Sequence, residues 1–395
     1  MNYEETINYI HSIPKFRRPL GNENLARLLG LLGNPQKKLR FVHIAGTNGK
    51  GSAAAMTAEI LKRSGYKTGL FTSPFIEVFN ERICVCGKNI PDNLLIEYTE
   101  RVKNIMETSG ALVSEFAFVT AVAFLYFYEQ KCDFVVLEVG MGGSLDATNV
   151  IDNSVVSVIM KIALDHTQYL GDTIEEITVE KCGIIKQGGT VIAYPNEKKT
   201  LDIIRAYAQE KHAELKIADV KAAEGYELSL KGAYQPYNAA VVLEIVNVMR
   251  EKGIEIPEKA VTDGLKNTQW PARFEWVRDN IVIDGAHNLD GIKALKQSLL
   301  ELNKPVTLVM AMMEDKAYEE CIREIAPAAS RFIATEIDMP RCLKAADLAE
   351  IAGNAEVIPD VKKAIKAAQN GVSGVICICG SLYLAGEARK FLKKS

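Results

Sequence analysis

Short apolar runs and helical patterns alternate along almost the whole chain. Residues 133–139 and 154–160 are nearly continuous apolar runs, which is typical of central strands covered on both faces of a sheet. Residues 92–107 and 114–129 carry apolar side chains at helical spacing, and Ser114 is a suitable N-cap for the second of these helices. This alternation predicts an α/β fold with a mostly parallel sheet.

The length of the chain predicts two domains. With 395 residues, the chain exceeds the size at which a single hydrophobic core continues to grow. Trp270-Pro271 interrupts the alternating pattern. Strand-like runs with helical patterns between them then resume at 280–283, 306–311, 331–335 and 375–379. We therefore expect a first domain at 1–268, a linker at 269–273 and a smaller, Rossmann-like α/β domain at 274–395.

The composition is that of an ordinary globular protein. Its formal net charge of −3 argues against an extended nucleic-acid-binding surface, which needs a basic excess. No run approaches the ~20 apolar residues of a membrane span, and the N-terminal sequence lacks the pattern of a signal peptide. We therefore expect a cytoplasmic protein without nucleic-acid or membrane partners. The eight cysteines include no C-x-x-C pair and are expected to be reduced, mostly structural thiols.

The sequence GTNGKGS at 46–52 lies between the apolar run 40–44 and a helical pattern at 53–63. A glycine-rich loop before a helix directs backbone N–H groups and a partial positive charge at one point, which suits phosphate. The loop departs from the general Walker pattern, because Ile44 replaces its first glycine and Gly51 its hydroxyl residue, with Ser52 one position late. It is either a variant phosphate loop or an ordinary turn. Its three glycines together with Lys50 favour phosphate binding.

Polar side chains follow several predicted strands of the first domain. Ser73 follows the second strand, Glu138 closes the run 133–137, and Asp165-His166 follows the next apolar run. Ligands of open α/β sheets bind at the carboxyl ends of the strands. Glu138 is therefore either a helix-capping or salt-bridging carboxylate or an oxygen ligand for the magnesium of a nucleotide. His166 likewise has a structural and a functional interpretation.

Three further positions are less decisive when taken alone. Lys181 lies late in a helical segment, where the helix dipole by itself favours a lysine. Asp284 and His287 follow a strand of the second domain, and the next residue, Asn288, is a suitable N-cap for the helix that follows. The pair Asp284 and His287 at a strand end is the more suggestive of a ligand site.

Together these segments resemble one family, the folylpolyglutamate synthases and dihydrofolate synthases, which belong to the Mur-type ATP-dependent ligases. The matching stretches run in family order over nearly the whole chain. They are GTNGKGS at 46–52, TSP with NERI at 72–83, EVGMGG-x-LDATN at 138–149, LDHTQYLG at 164–171, EK-x-GIIK at 180–186, YQ-x-x-NA at 234–239, WP-x-R at 270–273, DGAHN at 284–288 and GSLYLAGE at 380–387. In this family Gly51-Ser52 is the usual ending of the loop. The resemblance implies that the first domain is of the P-loop ATPase type.

The resemblance also implies a reaction. ATP would phosphorylate a carboxylate of a folate or dihydropteroate, and the amine of L-glutamate would then attack the acyl phosphate. Two Mg²⁺ ions would assist, and the enzyme would act as a monomer on small molecules. Glutamate addition to dihydropteroate, chain extension on folates, and both together remain open. A Mur-type ligase for another acid and amino acid, and a non-catalytic nucleotide-binding relative, are the alternatives.

Individual roles follow from the same resemblance. The residues on the nucleotide would be Gly46, Thr47, Asn48, Gly49, Lys50, Gly51, Ser52, Gln235, Asn238, Arg273, Asp284 and His287. The metal-site residues would be Ser52, Ser73, Glu138, His166 and Lys181, with Lys181 carbamylated so that a cation becomes an anionic bridge. The catalytic residues would be Lys50, His166, Lys181 and Arg273. The chain departs from the family pattern in having Phe75 in place of a frequent histidine, Ala272 in place of a glycine and Cys182 in place of an alanine.

Overall fold

The computed structural model describes residues 1–15, 21–371 and 374–394, and the chain divides into two compact units. The first unit comprises Met1–Ile162, Leu170–Glu227 and Pro236–Thr268, and the second comprises Ala163–Tyr169, Leu228–Gln235 and Gln269–Ser395. Two short segments that the sequence places inside the first predicted domain, 163–169 and 228–235, therefore group with the second unit.

Helices and strands alternate as the sequence pattern indicates. The strands are β1 Phe41–Ala45, β2 Thr68–Phe71, β3 Ile83–Val85, β4 Lys88–Asn89, β5 Phe134–Glu138, β6 Val156–Ile159, β7 Thr190–Ala193, β8 Glu214–Ile217, β9 Glu275–Arg278, β10 Ile281–Ile283, β11 Val306–Met310, β12 Arg331–Glu336, β13 Glu356–Asp360 and β14 Val375–Cys379. The helices are α1 Tyr3–Ser12, α2 Glu23–Leu31, α3 Lys50–Arg63, α4 Asp92–Ser109, α5 Glu115–Glu129, α6 Thr167–Leu170, α7 Ile174–Cys182, α8 Lys198–Glu210, α9 Gln235–Glu251, α10 Glu258–Asn267, α11 Leu289–Glu301, α12 Tyr318–Ile325, α13 Ala345–Ala352, α14 Val361–Gln369 and α15 Leu382–Lys394.

The sheet of the first unit is mostly parallel, which confirms the predicted fold class. Its described strands lie in the order β4-β3-β2-β5-β1-β6-β7-β8. The β2–β3 and β3–β4 pairs are antiparallel, and the pairs from β2–β5 to β7–β8 are parallel. Ile44 of β1 pairs with Glu138 of β5 and with Val158 of β6. The carboxyl ends of these three central strands therefore lie at one edge of the sheet.

The sheet of the second unit has the strand order β13-β12-β11-β14-β10-β9 among the described residues. Its strands are parallel except for the antiparallel pair β9–β10. The strands at 281–283, 306–310 and 375–379 are fully buried, because helices cover a parallel sheet on both faces. The predicted smaller C-terminal α/β fold is confirmed.

Local signals account for two element boundaries. Ser114 caps α5, because its side chain accepts a hydrogen bond from the backbone N–H of Ala117. Helix α3 begins at Lys50, before the start at residue 53 that the apolar pattern predicts. Gly49 stands at its N-cap position with φ 86°, so that the helix begins directly after the left-handed residue.

The cores consist of strand side chains packed against the covering helices. On one face of the first sheet, Phe41 contacts Phe124 of α5 edge to face at 5.4 Å. A further core of the first unit includes Ile159, Ile177 and Ile204, and Val282, Leu295 and Leu308 belong to a core of the second unit. Within residues 1–15, 21–371 and 374–394, no helix is long and apolar enough to cross a membrane.

Candidate active site

The glycine-rich loop connects β1 to α3 in the first unit. The side chain of Lys50 turns back over the loop, where Nζ donates to the carbonyl oxygens of Gly46 at 3.0 Å and Thr47 at 3.1 Å. The backbone N–H groups of Thr47 and Asn48 donate to the carbonyl oxygen of Lys161, which follows β6, at 2.8 and 3.2 Å. The loop is thus tied to the neighbouring strand, and the N-terminus of α3 lies at the end of β1.

Asn238 of α9 packs directly on this loop. Gly49 has a φ of 86°, and a Cβ atom at this position would lie 2.4 Å from Oδ1 of Asn238. Only glycine satisfies both the left-handed backbone and this close approach. Two segments that the sequence assigns to the nucleotide, the loop and Asn238, are therefore in contact.

Glu138 and Ser73 meet beside the loop. Glu138 is the last residue of β5 and is buried, with 5% of its surface exposed. Its Oε2 accepts a hydrogen bond from the backbone N–H of Ser73 at 3.2 Å. Because Glu138 pairs with Ile44 of β1, this carboxylate lies at the end of the strand next to the glycine-rich loop. Ser52 of the loop is also buried.

Lys181 lies near the end of α7 and is 4% exposed. The loop at 140–149 packs against this end of the helix, since a Cβ on Gly143 would lie 2.9 Å from the Cα of Lys181. Ser144 donates from its backbone N–H and its hydroxyl to the carbonyl oxygen of Glu180 at 2.9 and 3.1 Å. The 140–149 loop therefore starts two residues after Glu138 and packs against the helix that carries Lys181.

Two residues that sequence reasoning did not single out hold this loop. Lys186 donates from Nζ to Oδ1 of Asn149 at 2.8 Å and to the carbonyl oxygen of Ile151 at 2.6 Å. Asn149 donates in turn to the carbonyl oxygens of Ser144 at 3.2 Å and Gly183 at 3.0 Å. Burial lowers the pKa of Lys186 to about 8. Both residues lie in stretches that match the family, Asn149 in 138–149 and Lys186 in 180–186. This match was the one sequence signal that could have identified them.

A buried aspartate orders the same loop from inside. Asp146 accepts hydrogen bonds from the backbone N–H groups of Met141 at 3.0 Å and Thr148 at 2.9 Å. Burial raises the pKa of Asp146, although hydrogen bonds to Thr148 and to backbone N–H groups oppose the rise. The hydroxyl of Thr148 also lies 2.9 Å from Nε2 of His43. Asp146 thus holds Met141 and Thr148 of the 140–149 loop, and Lys186 and the carbonyl oxygen of Gly183 hold its last residue, Asn149.

His166 belongs to the second unit, next to an aspartate with several cationic and polar neighbours. The Asp165 carboxylate lies 2.5 Å from Nζ of Lys316, 3.1 Å from Nδ2 of Asn288 and 3.6 Å from Nε2 of His287. Burial alone would raise the pKa of Asp165, but the interactions with His287, Lys316 and His166 hold it well below its usual range. Sequence reasoning did not identify Lys316.

Asp284 is buried at the end of β10 in the same unit. Its carboxylate accepts hydrogen bonds from the N–H groups of Phe274 at 2.7 Å and Ala286 at 2.8 Å, and from the hydroxyl of Tyr234 at 2.9 Å. Burial raises the pKa of Asp284, although the nearby Arg273 guanidinium lowers it. Arg273 and Asp284, both predicted nucleotide residues, are therefore close to each other.

The two remaining predicted positions of the second unit lie at helix starts. Gln235 is fully buried at the beginning of α9. Asn288 caps α11 through a 2.9 Å hydrogen bond from the N–H of Gly291, which confirms the predicted N-cap. Its amide also donates to the Asp165 carboxylate, so that Asn288 connects the start of α11 to Asp165.

The oxygen atoms near Glu138 suit a magnesium ion that is bound partly by the protein and partly by a substrate. The described part of the chain holds no group of three or more His, Cys, Asp and Glu side chains that could bind a metal by themselves. Mg²⁺ usually binds one or two carboxylates together with waters and phosphate oxygens. A buried carboxylate beside a phosphate-type loop meets this requirement, because a bound polyphosphate would complete the coordination.

Two protein families match the chain. The family described as Mur ligase middle domain matches residues 44–218, which include the loop, Ser73, Glu138 and Lys181. The family described as Mur ligase, glutamate ligase domain matches residues 272–382, which include Arg273, Asp284 and His287. Both matches agree with the two-domain α/β architecture that the sequence predicts.

Relatives of known name match over nearly the full length. The chain is 34% identical to the dihydrofolate synthase/folylpolyglutamate synthase of Bacillus subtilis and 35% identical to the folylpolyglutamate synthase of Lacticaseibacillus casei, over 99% of each chain in both cases. The structure of Escherichia coli FolC in complex with DHPP and ADP superposes with a TM-score of 0.92 at 28% identity, covering 100% of this chain and 98% of that one. The chain therefore belongs to the dihydrofolate synthase/folylpolyglutamate synthase family of the Mur ligases.

Proposed function

We propose that this protein is an ATP-dependent amide ligase that joins L-glutamate to a carboxylate of a dihydropteroate or folate. The observation that carries the proposal is the placement of the Glu138 carboxylate, paired with Ser73, at the strand end beside the Lys50 loop. A loop for phosphate and a buried hard-oxygen ligand at one sheet edge are the parts that phosphoryl transfer requires. The names of the relatives favour folates over another acid.

The glycine-rich loop would hold the phosphates of ATP. Residues 46–52 include the N-terminus of α3, and the backbone N–H groups and the dipole of a helix N-terminus attract anions. Lys50 lies on loop carbonyl oxygens at about 3 Å, from which its flexible side chain can extend to the phosphates as a point charge. Asn238 would fix the loop from the side through its contact with Gly49.

Glu138 and Ser73, with Ser52, would hold one Mg²⁺ ion, and His166 would hold a second. Such ions neutralise charge on the transferred phosphoryl group. The substrate carboxylate oxygen then attacks the γ-phosphorus of ATP, and ADP leaves. The glutamate amine attacks the resulting acyl phosphate, the tetrahedral intermediate collapses to an amide, and inorganic phosphate leaves.

Lys181 would act as a carbamate. Its side chain is buried at the end of α7 beside the 140–149 loop, and burial disfavours a charged ammonium group relative to the neutral amine that carbamylation requires. The neutral amine adds to carbon dioxide, forming an N–C bond and releasing one proton, and the resulting carbamate anion offers hard oxygen atoms suited to magnesium. The contacts from Ser144 to Glu180 would keep this end of the helix in place.

Four residues of the second unit are also proposed to bind the nucleotide. Arg273 and Asp284 lie together, and His287 contacts Asp165. Arg273 would contribute positive charge toward the phosphates, and Gln235, Asp284 and His287 would contribute polar contacts to the nucleotide. The enzyme would act as a monomer.

The substrate class is tested by measuring ADP release with ATP, Mg²⁺ and L-glutamate. Dihydropteroate and tetrahydrofolate monoglutamate are compared as acceptors. Release with dihydropteroate alone assigns a dihydrofolate synthase, release with the tetrahydrofolate alone assigns a folylpolyglutamate synthase, and release with both assigns a bifunctional enzyme. Glutamate-dependent release with neither acceptor, over a panel of pteroates and folates, would refute the proposed function.

A further inference from the structure

Arg273 lies in a turn whose two flanking residues have left-handed backbone conformations. Ala272 has a φ of 55° and Phe274 has a φ of 47°, and neither residue is a glycine. Residues with a Cβ atom rarely adopt this conformation, because the Cβ comes too close to the following carbonyl oxygen. Such strain persists only where the surrounding structure holds it, and it is concentrated at functional sites. The contacts that hold this turn therefore bear on the position of Arg273.

The segment directly after β10 holds the turn on one side. The N–H of Phe274 donates to Oδ2 of Asp284 at 2.7 Å. The N–H of Gly285 donates to the carbonyl oxygen of Ala272 at 2.9 Å. The side chain of Arg273 lies against the same backbone, since a Cβ on Gly285 would lie 2.6 Å from its Nη1 atom. Nη1 also donates to the carbonyl oxygen of Ala272 at 3.1 Å, so that the guanidinium position depends on the conformation of Ala272.

Glu275, the first residue of β9, holds the turn on the other side. Its Oε2 accepts a hydrogen bond from the N–H of Ala272 at 2.9 Å, and its Oε1 accepts one from the guanidinium of Arg389. Arg389 lies in α15, and its side chain is buried, with 9% exposed. One carboxylate oxygen thus holds the strained residue next to Arg273, and the other is held by a buried cation. Sequence reasoning identified neither Glu275 nor Arg389.

Helix α15 contacts both sides of the turn. Its first residue, Leu382, packs on Gly285, since a Cβ on this glycine would lie 2.2 Å from Cδ2 of the leucine. Leu382 and Arg389 are seven residues apart and therefore lie on the same face of the helix. One rigid element thus supports the backbone of Gly285 and the carboxylate of Glu275 together.

We propose that Glu275, held by Arg389, is a positioning residue for Arg273 in the nucleotide site. Its carboxylate keeps Ala272 in the left-handed conformation and thereby fixes the guanidinium of Arg273 beside Gly285. This inference rests on the proposed function, since it concerns how Arg273 is presented to the nucleotide. A guanidinium that is already ordered loses less side-chain freedom when it binds a phosphate. Affinity for the nucleotide therefore depends on the ion pair between Glu275 and Arg389.

The test is a titration of the full-length protein with Mg·ADP. Arg273→Met should weaken binding about tenfold, because a hydrogen bond to a charged group is lost. Glu275→Gln should weaken binding about fivefold, because the amide pairs poorly with Arg389 and the turn loosens. In protein that already carries Arg273→Met, the change at Glu275 should have no further effect. This non-additivity separates positioning of Arg273 from a general loss of structure.

Two further variants test the route through the turn. Glycine adopts the left-handed conformation without the Cβ penalty, so that Ala272→Gly makes the turn less dependent on Glu275. Ala272→Gly combined with Glu275→Gln should therefore bind Mg·ADP more tightly than Glu275→Gln alone. Arg389→Lys keeps the charge but not the planar guanidinium, and it should weaken Mg·ADP binding in the same direction as Glu275→Gln.

Glu356→Gln is the matched control. Glu356 of β13 accepts from the guanidinium of Arg331 of β12 at 2.7 and 2.9 Å in the same unit. The substitution alters a glutamate–arginine pair that is not part of the turn. It should leave Mg·ADP binding unchanged.

Each contrary outcome has a definite meaning. Unchanged Mg·ADP binding by Glu275→Gln, or by Arg273→Met, would overturn the positioning role. A loss at Glu275 that recurs in full in the Arg273→Met protein would also overturn it, as would the absence of rescue by Ala272→Gly. If Glu275→Gln does not fold, unchanged binding by Arg389→Lys would overturn the role instead. Failure of the unaltered protein to bind Mg·ADP would refute the proposed function, and this inference with it.

Discussion

Lys186 donates a hydrogen bond from Nζ to Oδ1 of Asn149 across 2.8 Å, and the same amide donates to the carbonyl oxygen of Gly183 across 3.0 Å. This relay joins the end of the 140–149 loop to the turn after α7. Since Glu138 lies two residues before this loop and α7 carries Lys181, the relay sets the spacing between two of the proposed metal-site residues. Neither Lys186 nor Asn149 needs to touch the substrate for this role.

Replacement of Lys186 by methionine should reduce both stability and turnover. The substitution leaves Oδ1 of Asn149 and the carbonyl oxygen of Ile151 without their donor, which costs about 1–3 kcal/mol for a buried polar group. Chemical denaturation and ADP release would measure the two effects. Lys199→Met is the control, because Lys199 is 86% exposed and forms a surface ion pair at 3.7 Å. Equal behaviour of the two variants would contradict the relay.

The same lysine predicts a dependence of stability on pH. Burial lowers its pKa from 10.5 to about 8 in the folded protein. Between these values the unfolded chain binds the proton and the folded protein does not, so that the free energy of unfolding rises with pH. The stability difference between the unaltered protein and Lys186→Met should therefore grow in favour of the lysine from pH 7.5 to about 10. A difference that stays constant, or shrinks, would show that Lys186 is not buried in this way.

Glu138→Gln should abolish most of the turnover while the fold persists. The amide keeps the size of the side chain and can still accept from the N–H of Ser73, but it loses the negative charge that binds Mg²⁺. ADP release measured over a range of magnesium concentrations should show a loss that more magnesium partly restores. Glu129→Gln, which alters a surface ion pair with Arg101, should leave the magnesium dependence unchanged. A similar dependence in both variants would remove Glu138 from the metal site.

Lys181 should take up carbon dioxide. Protein equilibrated with isotopically labelled bicarbonate is expected to show one carbamate signal by nuclear magnetic resonance, and Lys181→Arg should lack it, because a guanidinium does not form a stable carbamate. A signal that persists in Lys181→Arg would assign the carbamate to another lysine. Absence of any signal in the active protein would eliminate the carbamate from the account.

Lys50→Ala should lower turnover at least about a hundredfold, which is the usual effect of removing a donor that stabilises transition-state charge. The helix should still form, because Gly49 and the loop backbone contacts to Lys161 are unchanged. Lys62→Ala, in the last turn of the same helix, is the control for loss of a positive charge. Turnover that is lowered equally in both variants would argue against the phosphate role of Lys50.

The fold class was predictable because the spacing of apolar residues and the composition of each segment determine its helices and strands locally. The runs that became β5 and β6, the cap at Ser114 and the restart after Trp270-Pro271 each depend on neighbouring residues in sequence. The family was also predictable, because the segments occur in a fixed order. The roles of Lys50, Glu138, His166 and Lys181 stay predictions, to be decided by the measurements above.

Long-range contacts were beyond the reach of the sequence. Lys186 and Asn149 are far apart in the chain, as are Lys316 and Asp165, and charge patterns at such separations do not identify partners. The stacked rings of Tyr194, which follows β7, and Tyr237 of α9 are another contact between residues far apart in the chain. Residues 163–169 group with the second unit because Asp165 contacts Lys316 and Asn288. No local sequence pattern predicts these contacts.

The central claim is that ATP activates the substrate carboxylate as an acyl phosphate. A pteroate or folate whose reacting carboxylate carries oxygen-18 is incubated with the enzyme, ATP, Mg²⁺ and L-glutamate, and the released phosphate is analysed by mass spectrometry. The account predicts one labelled oxygen in each phosphate, because the carboxylate oxygen attacks phosphorus and leaves with it. Phosphate without the label, accompanied by formation of the glutamylated product, would contradict the account.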